Sequence, residues 1–183
     1  LDLTYQVLGI AKKTRLAPTP KGIAGQLEKL LNDSIHIGSY GGRVEISQIN
    51  DPEDFVLQIR EAYAVTRFSM DFGEPNPWDA NKDFQQPMQR LLKESHGRKG
   101  NTSIAGDDLD RGTLEELTRA TASTGNDAQA IIRTNARGRG TRKRLKGNPA
   151  VIQQEEIASV AEQQNLLQQI RSYYEKLRRH LQE

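Results

Sequence analysis

Positive charge is concentrated between residues 135 and 148. Six arginine and lysine side chains lie there beside glycines, and the stretch contains no aspartate or glutamate. Guanidinium groups bind phosphate oxygens in pairs, and glycine lets a backbone approach a ligand closely. The stretch therefore predicts a surface that binds the phosphate backbone of DNA or RNA.

The predicted contacts extend into the strand before this stretch and to a second basic loop. No aromatic side chain stands in the stretch, so contacts with phosphates are expected rather than stacking on bases. An acidic protein partner and a solvated loop without a ligand are the alternatives. Arg171, Arg178 and Arg179 could extend the patch. The predicted nucleic-acid contacts are Arg133, Arg137, Arg139, Arg142, Lys143, Arg144 and Lys146, with Arg98 and Lys99 as supporting charges.

The remaining sequence contains no catalytic or cofactor motif. The absence of cysteine excludes disulfides, thiolate zinc sites and a cysteine nucleophile. Asp107, Asp108 and Asp110 lack the spacing of a calcium loop, so a turn at the start of a helix is preferred. The three histidines lie far apart in the sequence. These observations favour a non-enzymatic protein with no cofactor and no metal site. The enzyme alternative needs catalytic residues in a preceding segment or a site that matches no known motif.

The absence of cysteine fits a reducing cytoplasm, and hydropathy favours a protein with no membrane partner. The net charge is only +2, so clustering of the cations matters more than their total. No apolar run approaches the roughly 18 residues that a membrane span requires. The chain begins at Leu1 without an initiator methionine, which suggests part of a longer protein.

Period-two patterns predict the strands that position the basic stretch. They cover residues 1–12, 43–49, 64–72, 101–106 and 128–133. The segment from Arg137 to Gly140 is typical of a hairpin tip. Residues 141–146 then return as a strand that carries Arg142, Arg144 and Lys146 on one face.

Helical spacing and capping residues predict the helices between these strands. One covers residues 20–33, one begins at Asp51 and Pro52, and another contains residues 84–92. Thr113 and Glu116 form a capping-box pattern for a helix that runs to about Thr124. We therefore expect an α+β fold: a mixed, mostly antiparallel sheet with helices on one face, as an elaboration of the ferredoxin-like layout.

A long helix follows from about residue 153 to residue 182. This divides the chain into a sheet domain at residues 1–150, with its basic hairpin at 133–146, and a C-terminal helix at 151–183. The helix either packs on the sheet or binds a partner helix, in a homo-oligomer or another protein. Its predicted contact residues are Val160, Leu167, Ile170, Tyr174, Leu177 and Leu181.

The strand that ends at Phe72 leads into Pro75-Asn76-Pro77-Trp78-Asp79, then a helix and later the basic hairpin. Over roughly residues 40–150 this arrangement resembles an uncharacterised group of bacterial proteins, some of them associated with phage-defence regions. The resemblance implies a bacterial protein of antiviral defence or nucleic-acid biology and transfers no catalytic residue. Trp78 is expected to anchor the core. The leading hypothesis is a nucleic-acid-binding protein; the alternative is an adaptor that uses its C-terminal helix.

Overall fold

The computed structural model describes residues 2, 5–10, 19–39, 41–73, 84–145, 147–152 and 160–179. Four strands form an antiparallel sheet in the order β2-β1-β3-β4: β1 (Ala64–Gly73), β2 (Lys99–Ala105), β3 (Ala128–Arg133) and β4 (Thr141–Arg144). The helices of the described part are α1 (Pro20–Asn32), α2 (Ile35–Ser39), α3 (Glu53–Arg60), α4 (Gln85–Glu94), α5 (Arg111–Ser123) and α6 (Val160–Arg179).

The predicted α+β class is confirmed, with an antiparallel sheet covered on one face by α3, α4 and α5. The ferredoxin-like elaboration is not confirmed. From α3 to β4 the order is α-β-α-β-α-β-β, whereas the ferredoxin-like order is β-α-β-β-α-β. Here β2 and β3 lie on either side of β1 and are joined through α5, which gives one split βαβ unit.

The hydrophobic core lies between the helices and one side of the sheet. Apolar side chains of β1 and β3 alternate towards it, and apolar residues of α3 and α5 close it from the other side. The principal members are Phe55, Ile59, Val65, Phe68, Met70, Leu114, Ala128, Ala130 and Ile132. The opposite side of the sheet is called the open face below.

Strand β1 contains a bulge at Thr66. Val65 lies opposite Ile132, and Arg67 lies opposite the preceding residue of β3, Ile131, so Thr66 is an extra residue. The extra residue changes the alternation of sides along the strand. Val65 and Phe68 are both buried, while Arg67 lies on the open face and is exposed.

A network of ion pairs joins α3 to α5. The Arg119 side chain is 2% exposed, and its Nη1 lies 2.7 Å from Oε1 of Glu53. Its Nη2 lies 3.0 Å from Oε1 of Glu115, which also binds Arg60. Because an unpaired buried charge is costly, Arg119 depends on both carboxylates.

Arginine contacts lower the pKa of both carboxyls. The hydrogen bond from Arg119 holds the pKa of Glu53 below its ordinary value of 4.5. Burial raises the pKa of Glu115, but hydrogen bonds from Arg60 and Arg119 outweigh burial, and the resulting pKa is also lowered. A carboxyl with a lowered pKa contributes stability above its unfolded pKa and loses it as the pH falls through its folded pKa.

We therefore expect the urea midpoint of the protein to fall as the pH drops below 4.5. Arg119→Met removes the group that lowers both pKa values. The urea midpoint of this variant should therefore fall less than that of the wild type as the pH drops. Urea unfolding between about pH 7 and pH 3 measures the difference. Parallel pH profiles of the two proteins would contradict the assignment.

Two predicted strands are wrong. Of residues 1–12, the structure describes a tight turn in which Asp2 and Val7 form an isolated bridge. Residues 43–49 belong to no sheet. The side chain of Asn32 in α1 makes two 2.8 Å hydrogen bonds with the backbone of Val44, and Glu28 accepts from the Ile46 N–H. Polar side chains of a helix thus take the place of a neighbouring strand.

Both ends of α5 are defined by hydrogen bonds. The predicted capping box at Thr113 is wrong, because Asp110 is the N-cap and accepts from the N–H and hydroxyl of Thr113, each at 2.8 Å. At the other end, Gly125 has φ +70°. Its N–H donates to the Ala122 carbonyl, and the Asn126 N–H donates to the Thr121 carbonyl. This pattern is a Schellman motif, which favours glycine at this position.

Among the described residues, helix α6 packs against α5, with Tyr174 and Leu177 buried. The N-terminal turn also binds α6: the Tyr5 hydroxyl donates to Glu175 at 2.6 Å, and Arg171 binds Asp2 at 2.7 Å. Among the described helices, none combines the length and hydropathy needed to cross a lipid bilayer.

Candidate nucleic-acid interface

The predicted basic hairpin is present. Strands β3 and β4 pair in antiparallel fashion and are joined by residues 134–140. Within this loop the Gly138 N–H donates to the Asn135 carbonyl at 3.1 Å. Arg137 and Arg139 are exposed in the same loop, so their charges extend beyond the end of the sheet.

The register of β4 decides which of its cations share a face. Arg142 lies opposite Ile131 and Arg144 opposite Gln129, which places both arginines on the open face. Both are exposed. Lys143 lies opposite the buried Ala130 and is half-buried on the core side. The predicted grouping of Arg142 with Arg144 is confirmed, whereas Lys146 lies outside the described residues.

Two further arginines lie on the open face. Arg67 of β1 is opposite Ile131, which in turn is opposite Arg142. Neighbouring strands lie about 4.8 Å apart, so the Cα atoms of Arg67 and Arg142 are about 10 Å apart. Arg133 follows Ile131 by two residues in β3 and shares its side of the sheet. We call Arg67, Arg133, Arg142 and Arg144 the basic cluster.

Charge changes sign along the open face. Arg67 and Arg142 lie in one cross-strand row; in the next row Arg144 lies in line with Gln129, Ser69 and Ser103, and the Ser69 hydroxyl donates to the Ser103 hydroxyl at 3.0 Å. One row further, Asp71 accepts from the Asn101 amide at 2.7 Å. The positive charge therefore occupies the half of the open face nearest the hairpin loop.

Within the part of the chain that the structure describes, no residue of the basic cluster forms an ion pair. Four other arginines do: Arg60, Arg111, Arg119 and Arg171 each bind a carboxylate. The cluster thus holds several like charges on adjoining strands without an internal counterion.

The supporting charges Arg98, Lys99 and Arg171 lie apart from the basic cluster. Arg98 and Lys99 lie where β2 begins, with Lys99 opposite Gly73. β2 is the edge strand opposite β4, and Asp71 lies between this corner and the basic cluster. Arg171 is bound to Asp2 through both Nε and Nη2. Of these three side chains, none extends the basic cluster.

The acidic turn has a structural role. Asp110 caps α5, and the Val65 N–H donates to Asp108 at 3.0 Å. The hydrogen bond from the Val65 N–H lowers the pKa of Asp108, and the hydrogen bond from the Thr113 N–H lowers the pKa of Asp110. The preferred interpretation as a turn at a helix start is confirmed. Across the described ranges, no group of three or more metal-binding side chains is found.

Helix α6 brings together only part of its predicted contact stripe. Tyr174 and Leu177 are buried within the chain. The helix packs on α5, whereas the packing alternative placed it on the sheet. Leu167 is exposed, and Ile170 is half-buried beside Gly9. The described side chains do not include Val160 or Leu181.

No known protein family, curated protein or solved structure gives a significant match to this chain. The bacterial resemblance stays a prediction, and its Pro-Asn-Pro segment and Trp78 lie outside the described residues. The basic cluster is therefore the feature of the described structure that bears most directly on function. Sequence reasoning omitted Arg67, although the alternation of β1 already indicated that this side chain faces away from the core.

Proposed function

We propose that the protein binds nucleic acid by contacting phosphates with the basic cluster and with Arg137 and Arg139. The observation that carries the proposal is the position of four arginines, unpaired within the described structure, on one face of a hydrogen-bonded sheet. Hydrogen bonding within the sheet fixes the backbone of each arginine. Binding therefore costs only the conformational entropy of the side chains. A guanidinium fork then binds two phosphate oxygens at once.

The open face favours backbone contacts over base stacking. Its described residues beside the basic cluster are serine, glutamine, isoleucine and alanine, and the aromatic rings of Phe68 and Phe72 belong to the other face. Without stacking platforms, affinity depends mainly on release of counterions from the nucleic acid. Binding is therefore expected to show little sequence preference and a strong dependence on salt.

The test compares two triple variants that lose the same charge. Arg67→Ala with Arg142→Ala and Arg144→Ala removes exposed cations of the basic cluster. Arg43→Ala with Arg90→Ala and Lys93→Ala removes three exposed cations elsewhere. Fluorescence anisotropy with duplex DNA, single-stranded DNA and RNA at about 50 and 200 mM salt measures affinity and its salt slope.

We expect the cluster variant to lose at least about tenfold in affinity at low salt and to have a salt slope shallower by about 3, since each phosphate contact contributes about 0.9. The control variant should stay close to wild type. Equal losses in both triples, or none in the cluster variant, would contradict the proposal. Circular dichroism confirms that each variant is folded.

The bacterial resemblance adds antiviral defence as the setting in which such binding would act. The adaptor alternative has less support, because Tyr174 and Leu177 of its predicted contact stripe are buried within the chain.

A further inference from the structure

Among the described residues, the two edge strands of the sheet have no further strand beside them, and they differ in how their outward backbone groups are protected. β4 has four residues, and three consecutive ones are Arg142, Lys143 and Arg144. A second β4 paired with it would bring cations close together, which opposes edge-to-edge association. β2 has seven residues, and Lys99 at its start is its one charged residue. It contains no proline, and its register with β1 has no shift.

The backbone groups at the free edge of β2 can be identified. The Gly106 N–H donates to the Thr66 carbonyl of β1 at 3.1 Å. Residues of the same parity in β2 therefore bond to β1, and residues of the other parity point away from the sheet. These are Lys99, Asn101, Ser103 and Ala105, and all four are exposed.

We propose that the free edge of β2 pairs with β2 of a second copy of this chain. In full antiparallel overlap, Thr102 lies opposite itself, Asn101 opposite Ser103 and Lys99 opposite Ala105. No like charges meet, and the outward backbone groups of each copy bond those of the other. A strand with these properties has no built-in barrier to its own copy, in contrast to β4.

Side-chain sizes fit the same register. Ile104, 39% exposed, would lie opposite Gly100 of the second copy. The ring of Phe72 covers Gly100 so closely that an added Cβ would lie 2.2 Å from it. Ile104 of each copy would therefore meet an aromatic ring and lose water from its apolar surface.

The resulting dimer is closed by a two-fold axis perpendicular to an eight-stranded sheet. Both open faces lie on the same side of that sheet, so both basic clusters are presented together. Binding of one extended nucleic acid by both clusters would then gain from effective concentration. Dimer formation itself does not depend on the proposed nucleic-acid function.

The first test removes one outward N–H without disturbing the β1 side of the strand. Ser103→Pro deletes the amide and the hydroxyl, whereas Ser103→Ala deletes the hydroxyl alone. Light scattering over micromolar concentrations should show a dimer for wild type and for Ser103→Ala, and a monomer for Ser103→Pro. A monomeric wild type, or dimers of Ser103→Pro, would overturn the proposal.

The second test is independent of whether Ser103→Pro folds. The chain has no cysteine, so one introduced cysteine can form only an intermolecular disulfide. Opposed Cα atoms in a non-hydrogen-bonded pair are about 4.5 Å apart, within disulfide range. Thr102→Cys should therefore cross-link under mild oxidation much faster than Ala136→Cys in the exposed hairpin loop. Equal rates would refute the register.

A third variant separates this dimer from association through α6. Leu167→Asp places a charge on the exposed part of α6 and should leave the wild-type dimer intact. Loss of the dimer in Leu167→Asp together with its persistence in Ser103→Pro would assign the contact to α6 and overturn pairing through β2.

Discussion

Replacing Arg119 with alanine is expected to lower the free energy of unfolding by about 3–5 kcal/mol. The guanidinium is buried and binds two carboxylates. Its loss leaves Glu115 with one cationic partner, the exposed Arg60. Glu115 is 13% exposed, whereas Glu53 is 61% exposed and can be hydrated instead. Most of the penalty should therefore come from Glu115. Urea unfolding at neutral pH measures the change.

Arg60→Ala is the matched control, because Arg60 binds the same Glu115 while its own side chain is 52% exposed. An exposed partner of this kind contributes about 0–1 kcal/mol. The double variant Glu115→Gln with Arg119→Met should cost less than Arg119→Ala, since it removes both buried charges. A loss below about 1 kcal/mol for Arg119→Ala would show that water replaces the network.

Gly125→Ala is expected to cost about 2–5 kcal/mol, the sum of two separate effects. Gly125 has φ +70°, and a left-handed backbone costs an ordinary residue about 1–2 kcal/mol. An added Cβ would also lie 2.7 Å from the Cβ of Ser47 and 3.0 Å from the Gln48 carbonyl oxygen. Overpacking of this kind costs about 1–3 kcal/mol. Urea or thermal unfolding measures the sum.

Gly41→Ala separates the two effects. Gly41 has φ +62°, but no atom lies within 4 Å of a Cβ added there. This variant should lose only the backbone contribution of about 1–2 kcal/mol. The difference between the variants then reports how firmly residues 47 and 48 pack on the end of α5. Equal losses in Gly125→Ala and Gly41→Ala would show that residues 47 and 48 move aside to accommodate the added Cβ.

Local patterns were sufficient where neighbours in sequence decide the structure. The alternation of Phe68, Met70 and Phe72 predicted β1, and the glycines after Arg137 predicted the hairpin, because period and turn chemistry are encoded within a few residues. The positions of Arg142 and Arg144 followed from the same alternation.

Long-range contacts explain the misses. Residues 43–49 alternate like a strand, but Asn32 and Glu28 satisfy their backbone from 12 and 18 residues away. The missed cap of α5 has a local cause instead: Thr113 was predicted as the N-cap, but the carboxylate of Asp110, three residues earlier, accepts both donors of Thr113.

Strand order explains why the basic cluster was only partly predicted from the sequence. Sequence patterns place Arg67 on the outer side of β1, but they do not show that β3 lies between β1 and β4. Strand order is a property of the whole sheet. It joins Arg67 to the cluster and places Lys99 on the opposite edge.

The extra residue at Thr66 also controls the distribution of charge on the sheet. With unbroken alternation, Val65 and Arg67 would share one side. Either Val65 would be exposed on the open face, or Arg67 would enter the apolar core. A chain one residue shorter here would therefore lose core packing or one arginine of the cluster. Chain length at this position, as well as residue type, determines where the protein is positive.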